Sequence, residues 1–532
     1  MNQIEIKKRR MEFGSFVLEM VVLLVLGELL GDNGVVYIAF ALESFMLFWT
    51  LAGSGMADAL GKLLRGRSAR RQYKNAARLR KNALIFAALL GLAGSVALFA
   101  CAELLSESLF RISYSTAIIR WLAPVIFLRA VTAVLLGYFQ GEGTELPAVI
   151  SYVIRPVCVL GFSLLFIKLF GDDGSKVSAL LRQENFTAMY GGLGVALAVL
   201  VSEVLVVLFL FLVYRGSRGK ERKGGGDGAR TIDGFGGQIR MLYGNLFPQI
   251  GRALLQQLPV WLGMYFFRNS VVTETELNDY GILYGKYLPL IGIMIFPAYA
   301  LLLGNCYKAA DCVRKEEQRY AKGYFSGGLH MGVAYGMFFS VFTAILAPQL
   351  AGVFCETGVK LAAQLLRFGS IIVLFAVTGF YLSEILVFLG GKIQVLGALA
   401  LYNLVFVICL LIFLNSGKMG VIALIYAGAV AGGVYVAATG TLLLYQTHLN
   451  VDWLQAVGIP AGGACVAGLL LFFMSRLFTP LGNSMTVVLC LALGLAAYIL
   501  LLLLVRNFRE QELNYIPFGE LIRNLGQTLR IY

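Results

Sequence analysis

The chain has few charged residues and almost no histidine. Only 14% of its 532 residues are charged, whereas a soluble domain carries about 25%. A protein with so little charge cannot cover a soluble surface, so the composition excludes an ordinary globular domain. The two histidines, His330 and His448, argue against a His-based metal site and against a His-containing catalytic triad.

Proline and paired cysteines are also scarce. There are 11 prolines, and the eight cysteines form no CxxC pair and fall mostly in apolar runs, so we interpret them as small apolar packing residues. Hydrophobic residues make up 59% of the chain, and 61 residues are glycine, which lets membrane helices approach closely. The net charge of +14 does not predict a nucleic-acid partner, because the basic residues lie in short segments between apolar runs.

Apolar runs predict an all-α integral membrane protein with about fourteen transmembrane helices, each span needing about 20 apolar residues. The runs lie at 13–30, 35–58, 83–102, 117–138, 147–167, 189–214, 241–267, 280–305, 327–346, 362–388, 394–414, 419–444, 454–475 and 484–505. With the N-terminus inside, the inner segments hold 30 Lys and Arg and the outer loops hold eight. The positive-inside rule therefore predicts cytoplasmic N- and C-termini.

The glycine-rich, charged stretch 215–238 is the one clear linker, and its composition predicts flexibility. It separates a predicted N-lobe at 1–214, with spans 1–6, from a predicted C-lobe at 239–445, with spans 7–12. Spans 13 and 14 occupy 446–505. The tail at 506–532 is predicted to be a cytoplasmic amphipathic helix, with these residues on one face: Leu521, Ile522, Leu525 and Leu529. The two halves have similar patterns of loop lengths. This similarity indicates either an internal repeat or only the short and long loops that any polytopic protein shows.

Three motifs carry a family resemblance. The first runs from Pro124 through Gly137, Tyr138, Phe139, Gln140 and Gly141 to Pro147; the second spans 55–62 around Asp58, and the third lies in the tail at 512–519. Together they resemble the oligosaccharidyl-lipid flippases of the MATE-like (MOP) superfamily, in the stage V sporulation protein B and polysaccharide-export branch related to the lipid II flippase. The resemblance implies two pseudo-symmetric six-helix lobes facing each other in a V, two further C-terminal helices and alternating access.

The resemblance also implies a function. We expect a flippase that moves a saccharide linked to an undecaprenyl-phosphate type lipid from the inner to the outer leaflet of a bacterial plasma membrane. Cell-envelope or exopolysaccharide assembly would use the product. The alternative is an ion-coupled multidrug exporter of the MATE type. An enzyme is disfavoured because the longest outer loop, 168–188, has no histidine and no recognisable acid pair.

Ionisable residues inside the predicted spans are the best pointers to a site, because each costs about 2.5–3.5 kcal/mol at the centre of a helix. Arg129, Arg155, Arg252 and Lys286 lie in or at the ends of spans. Arginine binds phosphate through a planar fork, so these four are candidate substrate-binding cations lining a cavity. They could instead pair with acids or snorkel to the interface.

Six acids are the corresponding anionic candidates: Glu19, Glu28, Glu43, Asp58, Glu203 and Glu384. They have two interpretations, as coupling sites for H⁺ or Na⁺ or as counter-ions of the arginines, and their similar number favours counter-ions. No other cofactor is expected. The basic loop 62–81 either binds anionic membrane lipids as an amphipathic helix or only sets topology. We expect a monomer, with polysaccharide-assembly proteins as candidate partners.

Overall fold

A computed structural model of the chain describes residues 3–183, 185–217, 234–270, 274–416, 419–449, 451–505, 507, 513–517 and 519–528. These described residues are predominantly helical and contain no strand. The predicted all-α class is therefore confirmed. Most of the predicted linker, 218–233, lies outside the described residues, as does Leu529 of the tail.

The chain divides into two compact units, of which one comprises Val25–Gly281. Its helices are α1 (Gln3–Gly53, from residue 25 onward), α2 (Met56–Ala69), α3 (Tyr73–Glu103), α4 (Ser115–Glu142), α5 (Leu146–Leu181), α6 (Asn185–Ser217) and α7 (Phe235–Ser270). A π-helical turn, Leu104–Leu109, extends α3. In this unit α5 packs along α6, and α4 packs against α2, α3 and α6.

The other unit comprises Met1–Leu24 and Ile282–Tyr532. Helix α8 (Glu274–Ile282) precedes the second segment of this unit in the chain and, except for its last residue, belongs to Val25–Gly281. The helices of this unit are α9 (Leu288–Arg314), α10 (Gln318–Ile345), α11 (Ala347–Phe354), α12 (Val359–Gly369), α13 (Ile371–Leu389), α14 (Lys392–Asn415), α15 (Ile422–Thr447), α16 (Ile459–Phe478), α17 (Asn483–Leu504) and α18 (Gly519–Thr528). Here α13 packs against α9, α10 and α15, and α16 packs against α10 and α17. The predicted lobe boundaries stay predictions.

Twelve helical stretches among the described residues are long and apolar enough to cross a membrane, so the chain is a multi-span membrane protein. The predicted number of fourteen is not confirmed. The first two predicted spans lie in one continuous stretch, Ile6–Ala69. The predicted span 241–267 lies in α7, which is not one of the twelve, because polar residues and two prolines interrupt its apolar run.

Gly31 marks the point at which the two predicted spans of α1 meet. Its backbone has φ 68° and ψ 167°, which are not helical values. A side chain rarely tolerates a positive φ, whereas glycine has no Cβ to clash. The sequence therefore predicts the turn between the first two spans at the right place, although the helix resumes with no intervening loop.

The motif Gly-Tyr-Phe-Gln-Gly (GYFQG) allows two helices to pack closely. Its five residues, 137–141, are buried near the end of α4. A Cβ at Gly137 would lie 2.9 Å from the carbonyl oxygen of Ala57, and one at Gly141 would lie 2.6 Å from the Cβ of Leu64. Only glycine allows α2 to approach α4 this closely, so the motif explains the position of α2.

The other motif residues serve the same region. Gln140 donates from Nε2 to Oδ1 of Asp58 at 3.1 Å, which links α4 to the start of α2. Pro147 lies in the first turn of α5, where its missing N–H costs no helical hydrogen bond. Pro124 lies inside α4. These contacts are structural, and they give Asp58 a hydrogen-bond donor within its own unit.

Candidate functional site

A cluster of two arginines around one glutamate lies in the Val25–Gly281 unit. Arg155 of α5 donates from Nε to Oε2 of Glu203 at 3.0 Å and from Nη2 to Oε1 at 3.2 Å. Nε of Arg129, on α4, lies 3.5 Å from Oε2 of the same carboxylate on α6. We call Arg129, Arg155, Glu203 and their neighbour Thr132 the arginine cluster.

Burial distinguishes the members of the arginine cluster. The Glu203 side chain is 1% exposed, whereas those of Arg129 and Arg155 are 20% and 18% exposed. Thr132 donates from Oγ1 to Oε1 of Glu203 at 2.9 Å. A buried carboxylate needs such donors, because removing it from water is costly unless it is paired and hydrogen-bonded. Glu203 therefore acts as a buried anchor that orients two partly exposed guanidinium groups.

Arg129 lies near the middle of α4 and also contacts side chains of α1. Arg129 lies 14 residues after the start of α4 and 13 before its end, or about 20 Å from each. The guanidinium carbon of Arg129 lies 4.9 Å from the ring centroid of Phe45 on α1, and Nη1 lies 3.7 Å from the sulfur of Met46. A cation over an aromatic face is stabilised electrostatically, so α1 completes the setting of Arg129.

A second polar contact in the same unit joins α1 to α7. Gln257 donates from Nε2 to Oε2 of Glu43 at 2.8 Å. Arg252 lies five residues earlier on α7 and is partly buried. Glu28 lies on α1 and is also partly buried. The roles of Arg252, Glu28 and Glu43 as binding or coupling residues stay predictions.

In the other unit, Lys286 is enclosed by protein. It is 1% exposed, and its Nζ donates to the carbonyl oxygen of Thr357 at 2.6 Å and to Oγ1 at 2.7 Å. Lys286 lies in a π-helical turn, Leu283–Tyr287, that precedes α9. Its buried ammonium, with two oxygen acceptors, links this turn to the turn between α11 and α12. This geometry favours a structural role, and the substrate-binding role of Lys286 stays a prediction.

Another candidate acid in this unit is Glu384 of α13. Arg9, in the basic N-terminal segment, donates from Nη1 to Oε2 of Glu384 at 3.2 Å, and the Glu384 side chain is 4% exposed. Glu384 and Glu203 thus both fit the counter-ion interpretation. Glu19 lies on α1 and is partly buried, and its predicted role stays a prediction.

Sequence reasoning did not identify Thr132 or Phe45. Thr132 follows Arg129 by three residues, the spacing that puts two side chains on one helical face, so its position carried a usable signal. Phe45 is one of 37 phenylalanines, and nothing in its local sequence distinguishes it. The specific pairing of both arginines with Glu203 rather than with another acid also required the tertiary packing of α4, α5 and α6.

Known proteins resemble the chain in sequence. The model of a family described as polysaccharide biosynthesis protein matches residues 11–218. Stage V sporulation protein B of Bacillus subtilis (strain 168) is 22% identical over 516 residues, which cover 94% of each chain.

Solved structures resemble it in fold. The lipid II flippase MurJ, in an inward closed conformation, matches with a TM-score of 0.64 and 15% identity over 94% of this chain and 99% of that one. An inward-facing multidrug resistance MATE family transporter of the MOP superfamily matches with a TM-score of 0.62 and 15% identity over 83% and 96%. These proteins are named as a flippase and a transporter, and neither name is that of an enzyme. The chain therefore has the fold of these two transport proteins, and the predicted resemblance to stage V sporulation protein B and to polysaccharide biosynthesis proteins is confirmed.

Proposed function

We propose that the chain is a flippase for a lipid-linked saccharide, with Arg129 and Arg155 as the groups that bind the phosphate of the substrate. The observation that carries this proposal is the arginine cluster. It presents two partly exposed guanidinium groups, one near the middle of α4 and one about 14 Å along α5 from its start. The resemblance to proteins of polysaccharide biosynthesis and to a lipid II flippase supports the same substrate class.

Phosphate is the part of such a substrate that hydrocarbon excludes most strongly. A charged group at the bilayer centre costs several kcal/mol, so a flippase must replace water around the phosphate with protein donors. Arginine suits this task because its planar fork donates two parallel hydrogen bonds to phosphate and stays protonated in proteins. Glu203 holds both forks in place before the substrate arrives, which lowers the cost of ordering them on binding.

The buried carboxylate also suggests how a phosphate could be released. Glu203 competes with the phosphate for the same two guanidinium groups, since Arg155 already donates two hydrogen bonds to it. The net binding free energy of a phosphate is therefore only the difference between its interaction with the guanidinium groups and that of Glu203. This difference keeps phosphate binding reversible. Transport requires binding that is weak enough for the substrate to leave on the other side.

We further propose a bacterial inner-membrane location, cytoplasmic termini and movement from the inner to the outer leaflet, for envelope or exopolysaccharide assembly. The unequal distribution of Lys and Arg supports this orientation. Any coupling to H⁺ or Na⁺ would then involve acids other than Glu203, because both oxygens of that carboxylate already accept hydrogen bonds from Arg155 and Thr132.

The experiment is flipping of a fluorescent undecaprenyl-diphosphate saccharide in liposomes that contain the purified protein. We expect Arg129→Gln and Arg155→Gln each to reduce the flipping rate at least about tenfold, because each removes a charge-assisted contact worth about 1.5–3 kcal/mol. Arg252→Ala, on α7, is expected to abolish flipping if that predicted cation also contacts the substrate. Correct insertion and an unchanged elution volume on size-exclusion chromatography must accompany each loss.

Arg120→Gln is the matched control. Arg120 lies on α4 like Arg129, but its ion pair with Glu103 is exposed, so we expect a parental rate. Parental flipping by both Arg129→Gln and Arg155→Gln would refute the phosphate-binding role. Export of a cationic drug without any flipping of the lipid would instead support the MATE-type exporter.

A further inference from the structure

The outward face of α3 carries one continuous stripe of exposed side chains. They recur every three or four residues, which places them on one side of the helix: Lys74, Arg78, Lys81, Ile85, Leu89, Leu92, Val96 and Phe99. The opposite side is buried against the protein, with Asn75, Leu79, Ala83 and Ala87 among its residues. The stripe therefore faces the surroundings of the protein along the whole helix.

The chemistry of this stripe changes abruptly at one level. Its first three members are cations, and its remaining five members are apolar, with exposures from 42% to 60%. Lys81 and Ile85 are separated by about 6 Å along the axis. An apolar face this exposed on a membrane protein contacts lipid tails. The level between Lys81 and Ile85 therefore marks the edge of the hydrocarbon.

The length of the helix agrees with a basic end that lies outside the hydrocarbon. From Tyr73 to Leu109 the stretch has 37 residues, or about 55 Å at 1.5 Å per residue, whereas the hydrocarbon core is only about 30 Å thick. The helix must extend beyond the core. Tyr73 is 46% exposed at the start of the helix, and tyrosine is enriched at the headgroup level.

Negative charge is absent from this part of the chain. Residues 59–102 contain nine Lys and Arg and no Asp or Glu. These nine include Arg70 and Arg71, which are exposed in the turn between α2 and α3. Helix α2 packs against α3 and buries Met56, Leu60 and Leu64.

We propose that Lys74, Arg78 and Lys81 form a binding site for the headgroup of an anionic bilayer phospholipid such as phosphatidylglycerol. The tails of that lipid would lie along the apolar part of the same stripe. Lys and Arg next to an anionic membrane surface contribute about 1 kcal/mol each, which is about a fivefold preference per cation. Three cations within about 10 Å of helix axis can contact one headgroup together.

Arg80 is a cation of α3 that does not belong to the exposed stripe. It lies on the other side of α3, with its guanidinium carbon 4.9 Å from the ring centroid of Tyr138 and 5.3 Å from that of Tyr214. Two aromatic rings hold this cation against the protein. Arg80 is therefore outside the proposed lipid site.

The test uses the full chain in phosphatidylcholine vesicles containing a trace of phosphatidylglycerol with a photoreactive headgroup. We expect cross-links within residues 70–82, located by peptide mass spectrometry. The triple variant Lys74→Gln, Arg78→Gln, Lys81→Gln should lower their yield about a hundredfold if the cations act independently. Excess phosphatidylglycerol should displace the probe, and phosphatidylcholine or inorganic phosphate should not.

The triple variant Lys315→Gln, Arg319→Gln, Lys322→Gln is the control. It removes the same charge from exposed positions near Glu316 and Glu317, so we expect an unchanged cross-link yield. If the α3 variant fails to insert, Arg78→Gln alone and a salt titration of the unaltered chain replace it, with a fivefold loss and a loss at high salt expected. Equal yields for the α3 variants and the parent, or equal cross-linking by a phosphatidylcholine probe, would overturn the proposal.

Discussion

Replacing Glu203 by glutamine tests whether the buried carboxylate holds the arginine cluster together. Glutamine has the same shape as glutamate, but it carries no charge, and its amide nitrogen cannot accept the hydrogen bonds that an oxygen accepted. Arg129 and Arg155 would then lose the anion that they share. The neutral residue is therefore expected to destabilise the protein with little change in packing volume.

The magnitude follows from the burial of the three side chains. Breaking a fully buried ion pair costs about 3–5 kcal/mol. The two guanidinium groups keep about a fifth of their surface exposed and can recover part of their hydration, so we expect about 3 kcal/mol, the lower end of that range. The double variant Glu203→Gln, Arg155→Gln should be less destabilised than the sum of the two single variants, because the second change removes a cation that has lost its anion.

Thermal unfolding in detergent, followed with a thiol-reactive dye, measures these differences. The partly buried Cys101 and Cys158 lie in the unit that holds Glu203 and report its unfolding when they become accessible, and four buried cysteines report unfolding of the other unit: Cys306, Cys312, Cys355 and Cys490. Glu103→Gln is the control, because Glu103 forms an exposed pair with Arg120 and such pairs contribute about 0–1 kcal/mol. An unfolding temperature for Glu203→Gln equal to that of Glu103→Gln would refute the anchoring role.

Three further changes test other contacts by the same melting assay. Lys286→Met should lower stability by about 1–3 kcal/mol, because the buried oxygens of Thr357 lose their donor, while flipping continues; a stable variant that no longer flips would favour the substrate-binding role. Gly141→Val should destabilise by about 1–3 kcal/mol through overpacking against Leu64, and a parental melting temperature would contradict the close approach of α2 to α4. Arg80→Gln should lower stability by about 0.5–2 kcal/mol through loss of the cation–π contacts, and an unchanged melt would show that these contacts contribute nothing.

The sequence predicts the helical architecture because apolar runs and basic loops depend on composition alone. The break at Gly31 was predicted as a gap between two spans, since a short polar stretch interrupts the apolar run there. The predicted span within α7 is not one of the twelve apolar stretches, because polar residues and two prolines lower the hydropathy of this helix. The predicted span 362–388 is divided at Ser370 into α12 and α13. No clear change of composition marks this point in the sequence.

The candidate site was predictable in part. Arg129, Arg155 and Glu203 stand out in the sequence because charges inside apolar runs are rare. Their pairing depends on the rotation of α4, α5 and α6 about their axes, which the sequence pattern does not specify. For the same reason Lys286 looks like a site cation in the sequence, whereas in the fold its ammonium lies against Thr357.

Binding of phosphorylated and unphosphorylated lipids to the purified protein tests the central claim most directly. The measurement is native mass spectrometry of the parent and of the double variant Arg129→Gln, Arg155→Gln, with undecaprenyl-diphosphate saccharide and undecaprenol as ligands. We predict that the parent prefers the phosphorylated lipid and that the double variant loses at least about tenfold of this preference, since each charge-assisted contact contributes about 1.5–3 kcal/mol. An equal preference in the two proteins would contradict the claim that these arginines bind the phosphate.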